Sequence, residues 1–195
     1  SIIKIFHQTK WRPTYYVIQD RSVYEILKNE KEFKSLSNKF IADFIVESKT
    51  FSEKQNFNIF PLNLLDHMHP KEKFRIPYFS NDIYTDVCDG YTVTYAIIQI
   101  AVYMGFKEIY LVGVDCNYST QKQHFIDYGK RIEHHPERNM IDAYKVARQY
   151  AESHEIKIFN ATRGGKLEVF ERINFDSLFE TDNEGENGTK DNKQI

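Results

Sequence analysis

The chain has 195 residues, of which 41% are hydrophobic, and a formal net charge of −2. That balance gives no electrostatic reason to expect nucleic acid or an anionic membrane as partner. No stretch approaches the roughly 18 uninterrupted apolar residues of a membrane-spanning helix. Cys88 and Cys116 form neither a disulfide framework nor a paired metal motif, which fits a reducing, cytoplasmic setting. The size suits one globular domain over 1–179 with a substantial core.

In chain order, Ile2 to Phe6 is expected as a strand entered midway. With no initiator methionine and no signal-peptide architecture, the sequence reads as a fragment of a longer chain. Thr14 to Ile18 is expected as a second strand ending in Gln19-Asp20. A helix over 20–36 should follow, capped by Asp20 or Ser22, with Val23, Ile26, Leu27 and Phe33 inside. "KFIADFIV" fits strand or helix. Residues 47–87 are weakly patterned and read as a lid or an inserted subregion.

The second half is sharper. Asp89-Gly90 signals a turn, and 92–104 reads as a helix apolar nearly all round, hence buried, and ended by Gly105. Glu108 to Val114 reads as a parallel strand covered on both faces. A polar loop over 116–135 leads to Pro136, which suits the first turn of a helix. In that helix Met140, Ala143, Tyr144, Ala147, Tyr150 and Ala151 recur at helical spacing. "IKIFNA" is the next strand, and 180–195 reads as a disordered polar tail. Strand, helix, strand in this rhythm gives a three-layer, Rossmann-like α/β fold with a mainly parallel sheet.

A helix over 92–104 spans about 20 Å and a strand over 108–114 about 23 Å. Joined at Gly105, they return the helix N-terminus to the carboxyl end of the strand. Gln19, Asp20, Thr92, Thr94, Asp115, Asn117, His134, His135, Asn160, Thr162 and Arg163 are therefore expected along one rim. Ligands of open α/β sheets bind at that rim. Asp115 either accepts backbone N–H bonds in its loop or binds a nucleotide hydroxyl. Thr92 and Thr94 are N-cap candidates beside amides that suit a phosphate. His134 and His135, near a helix N-terminus, are candidate bases, because the dipole disfavours imidazolium; the bland reading is a polar surface loop. His124 is a third candidate on that loop. No histidine spacing matches a recognised metal-ligand set. In "NATRGGK" the glycines either admit a phosphate beside Arg163 or simply turn the chain. Trp11 is expected to serve packing or a turn.

"TVTYAIIQIAVYMGFKEIYLVGVDCNYS", "KQHFIDYG" and "IKIFNATRGGKLEVF" resemble the bacterial domain family named for 6-hydroxymethylpterin diphosphokinase MptE, which also includes the flagellin-modifying Maf proteins. Many of its bacterial members look like glycosyltransferases of surface polysaccharide clusters. Residues 90–160 are also similar to the lipooligosaccharide sialyltransferases, which use CMP-sialic acid without metal. The resemblance implies a nucleotide-activated sugar as donor, a glycan acceptor, a metal-independent inverting displacement and no cofactor. It places Thr92 and Asp115 at the nucleotide, Asn117 and Tyr118 near the leaving phosphate, and Gln19 and Asp20 at the base-binding end. It makes a loop histidine, His135 or His134, the base. The alternatives are pyrophosphoryl transfer from ATP to a pterin, with Mg²⁺ on Asp115 and Asp20, and a non-catalytic fragment of a larger protein. Either enzyme would sit in the cytoplasm or at the inner face of the membrane, and homo-oligomerisation is left open. Both families open with a strand and a Gly-Asn-Gly-Pro-Ser phosphate loop, which this sequence does not contain.

Overall fold

The computed structural model describes residues 2–46, 56–65, 76–118 and 137–179. The strands are short, and every pairing among them is parallel. β1 (Tyr15–Ile18), β2 (Asn38–Ala42) and β3 (Asn58–Phe60) form one sheet in that order. β4 (Leu62–Asn63) pairs with β5 (Val87–Cys88), and Pro61, which lacks an N–H, separates β3 from β4. A further sheet runs β6 (Glu108–Leu111), β7 (Lys157–Asn160), β8 (Glu171–Arg172). Helices lie between β1 and β2, β5 and β6, and β6 and β7, so the chain has an open, parallel α/β architecture of Rossmann-like type.

The expected N-terminal strand is instead a 3-10 turn over Ile2–Ile5, whose Ile3 is buried. Hydrophobic content alone does not separate a short strand from a buried turn. The expected helix over 20–36 is two helices, α1 (Arg21–Leu27) and α2 (Lys31–Lys34). Asp20 caps α1 by accepting the Ser22 and Val23 N–H groups. Glu30 is extended (φ −67°, ψ 136°) and breaks the run, so Leu27 and Phe33 reach the core while Ile26 is 56% exposed. "KFIADFIV" resolves into β2 followed by a 3-10 turn over Asp43–Ile45. Trp11 is exposed, and its N–H bonds the Thr9 hydroxyl in a turn.

The centre of the molecule is α3 (Val93–Tyr103). Ala96 and Ile100 pack into the core around Ile18, Leu27, Ile41 and Phe60. Tyr95 and Ile98 pack into a second core with Leu111, Ile158, Leu167 and α4 (Glu137–Ser153). Gln99, buried in this apolar helix, ties it to β5: its amide accepts the Ser80 and Cys88 N–H groups and donates to the Cys88 carbonyl at 2.8 Å. The burial expected of α3 therefore holds on most sides but not all, since Ile97 is 40% exposed. Covering of β6 on both faces does not hold either. Ile109 and Leu111 face the core, whereas Tyr110 and Val112, on the opposite face, are exposed.

Both cysteines are free and buried. Burial pushes each thiol from 9.0 up to about 11. The fold therefore favours the protonated form, and this stabilisation is complete below the unfolded value near 9. It is lost as pH rises towards 11, at up to about 1.4 kcal/mol per pH unit for each thiol. Denaturation measured from pH 8 to 11 should show stability falling above pH 9. The Cys88→Ala/Cys116→Ala variant should flatten that fall, and an unchanged slope would contradict the assignment.

Candidate functional site

Three carboxyl-edge elements meet around the start of α3. The turn Asp89-Gly90-Tyr91 delivers the chain to Thr92, whose side chain caps α3 by accepting the Thr94 N–H. This turn carries left-handed backbone at Gly90 (φ 49°) and at Tyr91 (φ 64°). Asp89 is fully buried, and its carboxylate accepts the Leu65 and Tyr91 N–H groups. From α4, the phenol of Tyr144 comes close enough to the Thr94 and Thr92 side chains for both to act on its pKa. Burial drives the Tyr144 pKa up, and Cys116 and Tyr118 add to the shift. Those two residues, just beyond β6, thus share the neighbourhood of the α3 N-terminus.

Asp115 and Glu137 complete the group. Both carboxylates raise the pKa of Cys116 and of Tyr118, behind the larger effect of burial. Asp115 Oδ1 accepts the Asn117 N–H at 3.1 Å, so one oxygen holds the loop and the other is available to a ligand. The Asp115 carbonyl accepts the Lys166 N–H at 2.6 Å. Gly165, at φ 87°, lies flat against Asp115, and a Cβ there would sit 2.6 Å from the Asp115 backbone. Gly165 of "NATRGGK" therefore admits the Asp115 backbone at that point. Gly165→Ala should cost about 2–4 kcal/mol from clash and positive φ together and displace Asp115. Gly164→Ala, at φ 74° with open space around it, should cost only about 1 kcal/mol. Thermal denaturation of the pair measures the difference.

Other expected rim residues have different duties. Asn160 is fully buried, donating to the Leu167 carbonyl at 2.7 Å and accepting the Thr162 N–H. The Thr162 hydroxyl accepts the Val114 N–H at 2.9 Å, so Thr162 clamps the end of β6 to the end of β7, while Asn160 holds the loop that follows β7. Arg163 points outward to Asp176 at 2.5 Å and is exposed. Gln19 and Asp20 follow β1, in the other sheet; Asp20 is an exposed cap, and the Gln19 amide oxygen is buried without a hydrogen-bond partner among the described residues. The structure thus brings Thr92, Thr94, Asp115, Asn117 and Tyr118 together. His124, His134 and His135 lie outside the described residues. Sequence reasoning missed Glu137 and Tyr144. An acidic residue directly after Pro136, at the opening of a helix, was the signal for the first. Tyr144 had none, because its spacing matches an ordinary core position.

Among the described residues, no three or more His, Cys, Asp and Glu side chains gather as a metal-ligand set. Asp115 and Glu137, both acting electrostatically on Cys116 and Tyr118, are carboxylates, the donor type that Mg²⁺ takes alongside phosphate oxygens. No helix among the described residues is long and apolar enough to cross a membrane.

Fold and rim define an α/β domain whose polar groups collect at the carboxyl ends of parallel strands. The chain belongs to the 6-hydroxymethylpterin diphosphokinase MptE-like family, whose profile matches residues 1–121. That match runs from the N-terminal turn through β6 and the Asp115–Tyr118 loop. No curated protein and no solved structure matches the chain.

Proposed function

We propose that this domain binds a nucleoside triphosphate at the α3 N-terminus and transfers its pyrophosphoryl group to the hydroxymethyl group of a pterin-like heterocycle. The carrying observation is the convergence of Thr92, Thr94, Tyr118, Asp115 and Glu137 at one helix start, in a chain of the MptE-like family. Free N–H groups and the dipole at a helix start favour phosphate. Asp115 and Glu137 would hold Mg²⁺, which supplies neutralisation of charge on the phosphate oxygens. In the reaction the hydroxymethyl oxygen bonds to the β-phosphorus, the bond from that phosphorus to the α-β bridging oxygen breaks, and AMP leaves. The hydroxyl proton passes to a base, for which His134 and His135 are the candidates. Incubation with Mg·ATP and 6-hydroxymethyl-dihydropterin should release AMP, and EDTA should abolish that release. AMP formation that survives EDTA, or none with metal present, contradicts this reading.

A second reading is glycosyl transfer from a nucleotide sugar, and the state of Tyr118 favours it. Burial raises the phenol's pKa, so it stays protonated and can donate to a departing phosphate. Turnover of a CMP-linked sugar in EDTA would select this reading over the first.

A further inference from the structure

We propose that Tyr144 is a positioning residue of the phosphate site: its hydroxyl, carried in from α4, fixes the Thr92 and Thr94 side chains so that both hydroxyls face the nucleotide. This role rests on the reading of the α3 start as the place where nucleotide phosphates bind. The buried face of α4 is made of Met140, Ala143, Tyr144, Ala147 and Ala151, and Tyr144 brings the one hydroxyl among them. Alanines on that face leave room for a long side chain to reach across to α3. Phenylalanine would fill the same space with no hydroxyl to satisfy, and burying a hydroxyl costs free energy unless it has a partner.

Direction and packing carry that hydroxyl to α3. Side chains on an α-helix lean towards its N-terminus. α4 opens at the rim with Glu137, seven residues before Tyr144 and on the same side of the helix. The phenol therefore extends along α4 towards the rim. Tyr144 is 1% exposed, and its ring meets two others edge-on: Tyr95 of α3 (6.3 Å between centroids, 64°) and Phe170 (5.8 Å, 74°). Tyr95 directly follows Thr94, so the contact that holds the ring also holds its distance from the α3 start. Thr94 and Thr92 both act on the phenol, and burial keeps it protonated, with a proton to give.

The two threonines need such a neighbour. The Thr92 oxygen accepts the Thr94 N–H at a long 3.4 Å, a weak hold on its rotamer. Threonine in a helix divides between two χ1 rotamers, and its hydroxyl proton rotates to suit the acceptors around it. A phenol that gives its proton to a threonine oxygen leaves the threonine's own proton free to point to the rim and a phosphate oxygen. Donors aimed in advance cost no reorganisation during reaction. Two neighbouring phenols are engaged elsewhere: Tyr95 donates to the Tyr78 carbonyl at 3.0 Å, and Tyr78 donates to the Asp86 carboxylate.

The test compares Mg·ATP binding, measured by calorimetry, in the parent, Tyr144→Phe and Tyr95→Phe. Tyr144→Phe keeps the ring and should weaken binding about fivefold, the worth of one neutral hydrogen bond, with a melting temperature within a few degrees of the parent. Tyr95→Phe removes another buried hydroxyl, on α3 itself, and should leave the affinity within about twofold. In a Thr92→Val/Thr94→Val background, Tyr144→Phe should change affinity by less than about twofold, because nothing remains for it to position. In the free chain, Tyr144→Phe should speed hydrogen exchange of the Thr94 amide; this readout needs no nucleotide and decides the matter if the valine background does not fold. A parent that binds Mg·ATP no better than Tyr144→Phe overturns the positioning role alone. So does an equal loss in Tyr95→Phe, an undiminished effect in the valine background, or an unchanged Thr94 amide. A parent that binds no Mg·ATP overturns the reading of the site itself, and the positioning role with it.

Discussion

Gln99→Leu should destabilise the domain by about 3–6 kcal/mol, although it replaces an amide with an apolar side chain in an apolar helix. Gln99 is 1% exposed and makes four hydrogen bonds, to the Ser80 and Cys88 N–H groups and to the Cys88 and Tyr95 carbonyls. Leucine fills much the same volume but leaves two buried donors and the Cys88 carbonyl without that partner. Each such group costs about 1–3 kcal/mol, which outweighs the gain from burying an apolar side chain. Gln149→Leu, exposed on α4, should change stability by less than about 0.5 kcal/mol. Urea denaturation of both variants separates the cases. A Gln99→Leu protein as stable as the parent would show that Gln99 does not hold β5 to α3.

Asp115→Asn and Glu137→Gln should each lower pyrophosphoryl transfer by about 100-fold or more while leaving the melting temperature within a few degrees. Asparagine keeps the oxygen that accepts the Asn117 N–H, so the loop survives and only the charge is lost. Glutamine likewise preserves the volume of Glu137. If both carboxylates share one ion, the double variant should lose little more than either single one. Full additivity of the two losses would separate their roles. Undiminished turnover in either variant removes that residue from the site.

Much of the second half was legible because long elements carry period. α3, β6, α4 and β7 all follow from apolar spacing, and Gly105 (φ 91°) ends α3 as its position foretold. The rim followed from lengths alone: a helix and strand of matching span return Thr92 to the neighbourhood of Asp115. The first half was less readable, since its elements are two to seven residues long and depend on tertiary contacts. Ile2–Ile5 has a strand's composition yet turns, and Lys28–Glu30 interrupts a helical pattern without any glycine or proline. Exposure at Ile97, Tyr110 and Val112 was illegible because a sequence shows how apolar a strand is, not which neighbours it has. Asn160, Thr162 and Arg163 do lie at the carboxyl end of β7, but Asn160 holds its own loop, Thr162 clamps the end of β6 and Arg163 faces solvent. Position along a strand does not reveal which hydrogen bonds a side chain has already made.

The central claim is that nucleotide phosphates sit at the start of α3 against the loop after β6. Hydrogen exchange on the chain saturated with Mg·ATP addresses it directly, since ligand at about 100 times its Kd stabilises by roughly 2.7 kcal/mol. Protection concentrated in 91–96 and 114–118 is the expected result. Protection absent there and concentrated instead at 18–23, beyond β1, would contradict the account.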